Sequence, residues 1–276
     1  MSVFTSHSDG AMNSGVITSV HNRHVAFLRS LHRSKSRREA RAFHVEGLRL
    51  AREALLTGQE PLVVLFDPSA LESTELGQKT LSMLQSLPRV FAASPEVIGA
   101  AAETRTPAGL VMAMPEPDQV DLDALESLRL LLVLDGIADA GNVGTILRSA
   151  SAVGLTHVVL SGHGADPYSG KVVSAGMGAH LRLKILQNQW PELLPHLAEY
   201  SQIVGTVPRG GQTIYEIDWS KQTALLVGSE AHGLSPDARE AATGFAHIPM
   251  APGVESLNAA VVASIALFHA QREILP

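Results

Sequence analysis

The chain has no cysteine among its 276 residues. That excludes disulfides, thiolate metal centres and a cysteine nucleophile. Aromatics are scarce, at 4%, so the core must be assembled from alanine, leucine and valine, which suits helices packed closely on buried strands. No apolar run nears the roughly 20 residues that span a bilayer. The opening "MSVFTSHSDGAMNSG" has no apolar stretch of signal-peptide length. Residues 1–14 read as a disordered tail, and the expectation is a cytoplasmic protein with no membrane partner. Catalytic motifs are missing too. There is no G-x-S-x-G nucleophile elbow, no P-loop, and none of the twelve histidines shows metal-ligand spacing, so no metal is expected.

Charge is present but segregated. The chain carries a net −6, which by itself argues against a nucleic-acid partner. Yet His21 to Arg52 holds nine cations, Arg23, Arg29, Arg33, Lys35, Arg37, Arg38, Arg41, Arg49 and Arg52, against only Glu39 and Glu46. That stretch is +7, so the remainder is −13. A nearly single-signed run of this kind is the footprint of a surface for a polyanion.

Residues 15–114 alternate helical and strand patterns and predict a small α/β domain. "HNRHVAFLRSLHRSKSRREARAFHVEGLRLAREALLTG" reads as two helices around a short extended piece, with Gly58 as a C-cap. "PEPDQVDLDALESL" is acidic and proline-bearing, and residues 115–128 are expected to be a linker. From residue 129 to 276, continuous apolar runs such as "RLLLVLDG" and "TALLVGSE" alternate with helices. They predict a second α/β domain around a buried parallel sheet.

Such sheets bind ligands beyond the carboxyl ends of their strands. Three strand ends lead into unusual loops: "DGIADAGNVG", "GSEAHGLSP" and "PMAPGVESLN". The first is no dinucleotide fingerprint, since Gly141 and Gly144 are spaced G-x-x-G and no acid ends the following strand. Taken singly, the polar residues have plain structural roles. Asn142 reads as the N-cap of its helix, Ser256 as the N-cap of the terminal helix, and Asn258 as a first-turn residue. Glu230 sits where a helix N-terminus favours a carboxylate. Arg148 stands out, because no acid lies three or four residues away to pair with it.

Taken together, "NVGTILRSASAVG", "LLVGSEAHGLS" and "IPMAPGVESLNAAVVASIAL" resemble the three successive motifs of the SpoU/TrmH-type RNA ribose 2′-O-methyltransferases of the SPOUT superfamily. The segment before them is similar to the ribosomal-protein-like substrate-binding domain that precedes many members. The resemblance implies a C-terminal α/β domain with a parallel sheet and a deep trefoil knot, preceded by a smaller α/β RNA-binding domain. It implies S-adenosylmethionine as cofactor, held largely by backbone groups at Gly228, Ile248 and Leu257, with Thr206 and Met250 nearby. It casts Asn142, Arg148, Glu230, Ser256 and Asn258 as the catalytic set. It implies RNA as partner, ribosomal before transfer RNA, through Arg23, Arg33, Lys35, Arg37, Arg38 and Arg41. A homodimer is implied through the C-terminal domain, with Ala259, Ala260 and Ala263 small enough for close helix packing there. The chain departs from the pattern at "KVVSAGMGAHLRL", where Ser174 and Gly176 replace an arginine and a serine found in many members. A non-catalytic RNA-binding module of the same fold is the rival reading.

Overall fold

The computed structural model describes residues 15–118 and 121–274. The expected tail, residues 1–14, lies outside the described residues, as do residues 119 and 120 of the expected linker. The chain divides into two compact units, one reaching Glu116 and the other beginning at Pro117, with Tyr168–Gly170 grouped with the first.

In the first unit the basic stretch forms two helices, not one, before its strand. Helix α1 (Arg23–Ser30) starts at Asn22, whose side chain accepts from His24 N at 2.8 Å. Helix α2 (Ser34–Ala40) ends at Arg41, which turns left-handed with φ 46°. The break between them is held by Arg37. Its side chain is buried, and Nη1 donates to the Leu31 carbonyl at 2.7 Å. Next come β1 (Ala42–Glu46), α3 (Leu48–Leu56), β2 (Val63–Phe66), α4 (Pro68–Glu72), α5 (Glu75–Leu84), β3 (Val90–Ala92), α6 (Pro95–Ala101) and β4 (Leu110–Pro115). The sheet order is β1-β4-β2-β3, with β2 and β3 parallel and the other pairs antiparallel. Val25, Leu28 and Leu31 pack with Leu65, Val97 and Ile98 to form its core.

The second unit is built on seven strands: β5 (Leu130–Asp135), β6 (His157–Ser161), β7 (Lys184–Gln187), β8 (Gln202–Thr206), β9 (Gln212–Thr213), β10 (Thr223–Gly228) and β11 (Gly244–His247). Every pairing is parallel, in the order β7-β6-β5-β10-β8-β11-β9. Helices α7 (Ala140–Ala152), α8 (Gly170–Gly176) and α11 (Ala259–Ile274) contribute to one apolar layer, and α9 (Trp190–Leu197) and α10 (Pro236–Ala241) to the other. Continuous burial of β5 on both faces explains its unbroken apolar run.

The expected linker is only partly a linker. Pro115 still belongs to β4, and Leu122–Ser127 wind into a 3-10 helix. That helix plants Leu125 in the second unit's core, where Tyr200 donates its hydroxyl to the Leu125 carbonyl at 2.5 Å. The alanines of the terminal helix are also corrected. Ala259, Ala260 and Ala263 are buried within the same chain, on the helix that packs against α7. The exposed apolar side chains of α11 are Val261 and Phe268.

Candidate active site

The carboxyl ends of β8 and β10 and the loop following β11 enclose one cleft. Thr206 ends β8, Gly228 ends β10, Ile248 and Met250 follow β11, and Leu257 precedes α11; all five line it. The cleft measures about 620 Å³ with its open mouth included. Glu230 and Ser256 border it as well.

Gly228 is demanded by the loop's own backbone. A Cβ there would stand 2.3 Å from the Gly233 carbonyl carbon. Ser229 N donates to Gly233 O at 3.0 Å, and Gly233 N returns to Ser229 O at 2.8 Å. Gly233 itself sits at φ +67°, which only glycine adopts cheaply. The loop carrying Glu230 is thereby tied back onto the end of β10. Thr206 donates its hydroxyl to Leu226 O at 3.0 Å, so that side chain braces the wall. The N–H groups of Ile248, Met250 and Leu257 have no hydrogen-bond partner among the described residues. An apolar cleft with unpaired backbone donors fits a ligand held by main-chain groups, as the bent cofactor of the resemblance requires.

Asn142 is not an N-cap. Asp139 caps α7, accepting from Asn142 N at 2.8 Å, and Asn142 lies in the first turn. Ser256 is not a cap either. Asn258 caps α11, its Oδ1 accepting from Ala260 N at 2.9 Å and Val261 N at 3.3 Å. Asn258 Nδ2 then donates to Asn142 Oδ1 at 2.9 Å, and Asn142 Nδ2 donates to Glu230 Oε1. One residue from each of the three motif loops thus joins a single chain of hydrogen bonds. Ser149 and Ser264, 2.7 Å apart, stitch the same two helices further along. Ser264 spends its proton on Ala260 O, so Ser149 is the donor.

Arg148 lies outside that chain. Its side chain is exposed, and no described residue bonds or pairs with it. Ser256 is exposed and borders the cleft without joining the chain. Of the basic set, Arg23, Arg33, Lys35, Arg38 and Arg41 are exposed. Lys35 is 3.8 Å from Glu39, a weak surface pair. Arg37 departs from the expectation, because its guanidinium is buried in the turn between α1 and α2. The Gly176 departure has a local cause: a Cβ there would come within 2.8 Å of the His180 ring. That ring is fully buried, with Nε2 2.6 Å from Pro167 O.

Two residues carry more than the sequence reading gave them. Asp139 supplies the α7 cap. Asp135, at the buried end of β5, accepts from Trp190 Nε1 (2.9 Å), Ser235 N (2.6 Å) and Ser235 Oγ (3.1 Å). Three donors to one carboxylate fix the end of the strand from which the first loop departs. Folding also gathers Asp123, Glu126 and His196 on the surface within mutual ligand reach, and His196 Nδ1 lies 2.8 Å from Glu126.

Comparison with known proteins agrees with this geometry. The model of the SpoU rRNA Methylase family matches residues 129–268, and that of the MRM3-like substrate binding domain matches residues 22–112. An uncharacterized tRNA/rRNA methyltransferase of Synechocystis sp. is 36% identical, over 93% of each chain. The 23S rRNA (guanosine(2553)-2′-O)-methyltransferase RlmP of Bacillus subtilis is 30% identical, over 92% of this chain and 98% of its own. The solved structure of an AdoMet-bound rRNA methyltransferase from Sinorhizobium meliloti matches with TM-score 0.79 at 30% identity, covering 95% of this chain and 99% of that one. With its motif loops drawn together around one cleft, this chain belongs to the SpoU rRNA methylase family.

Proposed function

We propose that the protein transfers a methyl group from S-adenosylmethionine to a ribose 2′-hydroxyl of ribosomal RNA. The observation that carries this reading is the Asn258–Asn142–Glu230 chain at the rim of a cleft with unpaired backbone donors. Family membership, and relatives named for rRNA 2′-O-methylation, support the substrate.

S-adenosylmethionine, when bound, supplies an electrophilic methyl group on a sulfonium. Ile248, Met250 and Leu257 would hold it through their main-chain N–H groups, with Gly228 letting the Glu230 loop close against the end of β10 beside them. Asn142, locked from both sides, orients the ribose. Among the described residues Arg148 has no partner to compete with RNA. Its guanidinium binds the adjacent phosphate and stabilises charge developing on the 2′-oxygen. Arginine keeps its proton in proteins and cannot serve as the base, so phosphate or water takes the proton. Holding the reactants in line is worth several powers of ten in rate. Arg23, Arg33, Lys35, Arg38 and Arg41 of the first unit engage the RNA backbone.

We also infer that residues 129–276 carry the deep trefoil knot of the superfamily; insertion of β10 between β5 and β8 is in keeping with it. A homodimer through the C-terminal domain is supported by the exposed Val261 and Phe268 of α11. No helix among the described residues is long and apolar enough to cross a membrane; the cytoplasm is the proposed site of action.

The test is to incubate the protein with labelled S-adenosylmethionine and ribosomal RNA from cells lacking it, and to map ribose methylation. One position on ribosomal RNA is expected to become resistant to alkaline hydrolysis. Label on a base, or no transfer at all, overturns the proposal. Label on transfer RNA alone overturns its substrate.

A further inference from the structure

A second cavity, of about 400 Å³ with its mouth included, opens over the carboxyl ends of β5, β6 and β7. The first turn of α7 lines this cavity and is hydrogen-bonded to the rim of the first. Asn142 reaches Glu230 on the rim of the first, and the next residue, Val143, lines the second. The second cavity is preformed: Gly136 N donates to Ser161 O at 2.9 Å, and Ala165 N donates to Ile137 O at 2.9 Å. Gly164 is needed for that packing, since a Cβ there would stand 2.8 Å from Ile137 O.

Its lining is chemically distinctive. Ile137, Val143 and Leu160 give apolar walls, Gln187 and Asn188 give neutral amides, and no ionisable side chain among the described residues lines it. At the end of β6 sits Ser161, only 2% exposed, whose hydroxyl has no hydrogen-bond partner among the described residues. Buried polar groups are ordinarily paired. A phosphate would find no counter-charge here, and a wholly apolar ligand would leave Ser161 unsatisfied. A neutral planar ring with donors and acceptors along its edge meets both requirements: apolar faces against the walls, polar edge toward hydroxyl and amide.

We propose that this cavity receives the nucleobase of the nucleotide whose ribose is methylated, with Ser161 and Gln187 reading its edge. The proposal rests on the methyltransferase reading above. It assigns the two sides of the α7 N-terminus to the two substrates, cofactor on one and target base on the other.

The experiment uses the full chain, the RNA position mapped above, and a synthetic RNA abasic at that position but with its ribose intact. Wild type, Ser161→Ala and Gln187→Ala are compared by single-turnover methyl transfer and by calorimetric affinity for S-adenosylmethionine. On native RNA each variant is expected to lose roughly tenfold in rate, the worth of one hydrogen bond. Cofactor affinity should stay within about twofold of wild type. On the abasic RNA, wild type should fall to the level of the variants, and the differences between them should vanish. Equal rates for all three proteins on native RNA overturn the proposal. So does an equal loss on both RNAs, which would make Ser161 and Gln187 structural only, and so does a wild type indifferent to the missing base. If wild type methylates no ribose at all, the methyltransferase reading fails and takes the base pocket with it, an outcome distinct from the other three.

Discussion

Asn258 donates its Nδ2 to Asn142 Oδ1 at 2.9 Å, joining the cap of the terminal helix to the first turn of α7. The direction of this bond is forced. Asn258 Oδ1 is occupied by the N–H groups of Ala260 and Val261, so only its amide nitrogen faces Asn142. Asn142 must therefore present its oxygen to Asn258 and its nitrogen to Glu230. A helix cap thus fixes the amide orientation that the Glu230 carboxylate sees.

Asn258→Asp tests that logic. Aspartate caps helices as well as asparagine does, so thermal stability should move by less than about 1 kcal/mol. The new carboxylate, however, offers Asn142 an oxygen. The Asn142 amide must turn over, and its own oxygen then opposes Glu230. Methyl transfer should fall by about tenfold or more, with S-adenosylmethionine affinity retained. A variant of full activity would show that the orientation of Asn142 is immaterial.

Arg148 makes the complementary prediction. It is exposed and unpartnered among the described residues, so Arg148→Ala should leave the melting temperature within the usual range of surface substitutions. Arg148→Lys keeps the charge but not the planar fork. Both should lower the single-turnover rate, alanine the more, without weakening cofactor binding. If the lysine variant transfers at the wild-type rate, phosphate recognition here does not use the fork.

The cleft was legible in the sequence because its chemistry sits in three contiguous loops, each following a strand. Glycine spacing and the apolar runs before it mark such loops. The caps were not legible, since aspartate, serine and asparagine all cap helices and all occur within a few residues here. Distances had to choose Asp139 over Asn142 and Asn258 over Ser256. The basic run shows the other limit. Composition counts Arg37 and Arg38 alike, and only the turn between α1 and α2 separates them. The alanines of α11 are equally small whether they face a partner or the same chain. Their burial against the core decides it.

Arg37 and Arg38 should consequently behave as opposites. Arg38 is exposed, and Arg38→Ala should weaken RNA binding and shallow its salt dependence by about one counterion, with no change in stability. Arg37→Ala removes the buried donor to Leu31 O. A carbonyl left unsatisfied beside a cavity should cost on the order of 1–3 kcal/mol, read as a lower melting temperature of the first unit. Equal loss of stability in both variants would mean that Arg37 is no more structural than its neighbour.

Acid should destabilise both units through buried histidines. Burial pushes His44 in β1 down to about 4, helped by the neighbouring His32 and opposed by Glu46 and the Ala101 backbone. Burial likewise pushes His180 down to about 4, opposed by the Pro167 carbonyl and Asp166. Both folded values lie below the unfolded value of about 6.5. As pH falls, the unfolded chain therefore takes up these protons first. The stability each neutral ring contributes is fully present above about pH 6.5 and drains away toward pH 4, at up to about 1.4 kcal/mol per pH unit. Most carboxylates titrate lower, so the range from about pH 6.5 to 5 isolates the histidines. Urea unfolding across that range should show a steep slope in the wild type. His44→Leu and His180→Leu should each lose about one proton's worth of slope, the first in the N-terminal unit and the second in the C-terminal unit. An unchanged slope in either variant would mean that its histidine titrates normally in the folded protein.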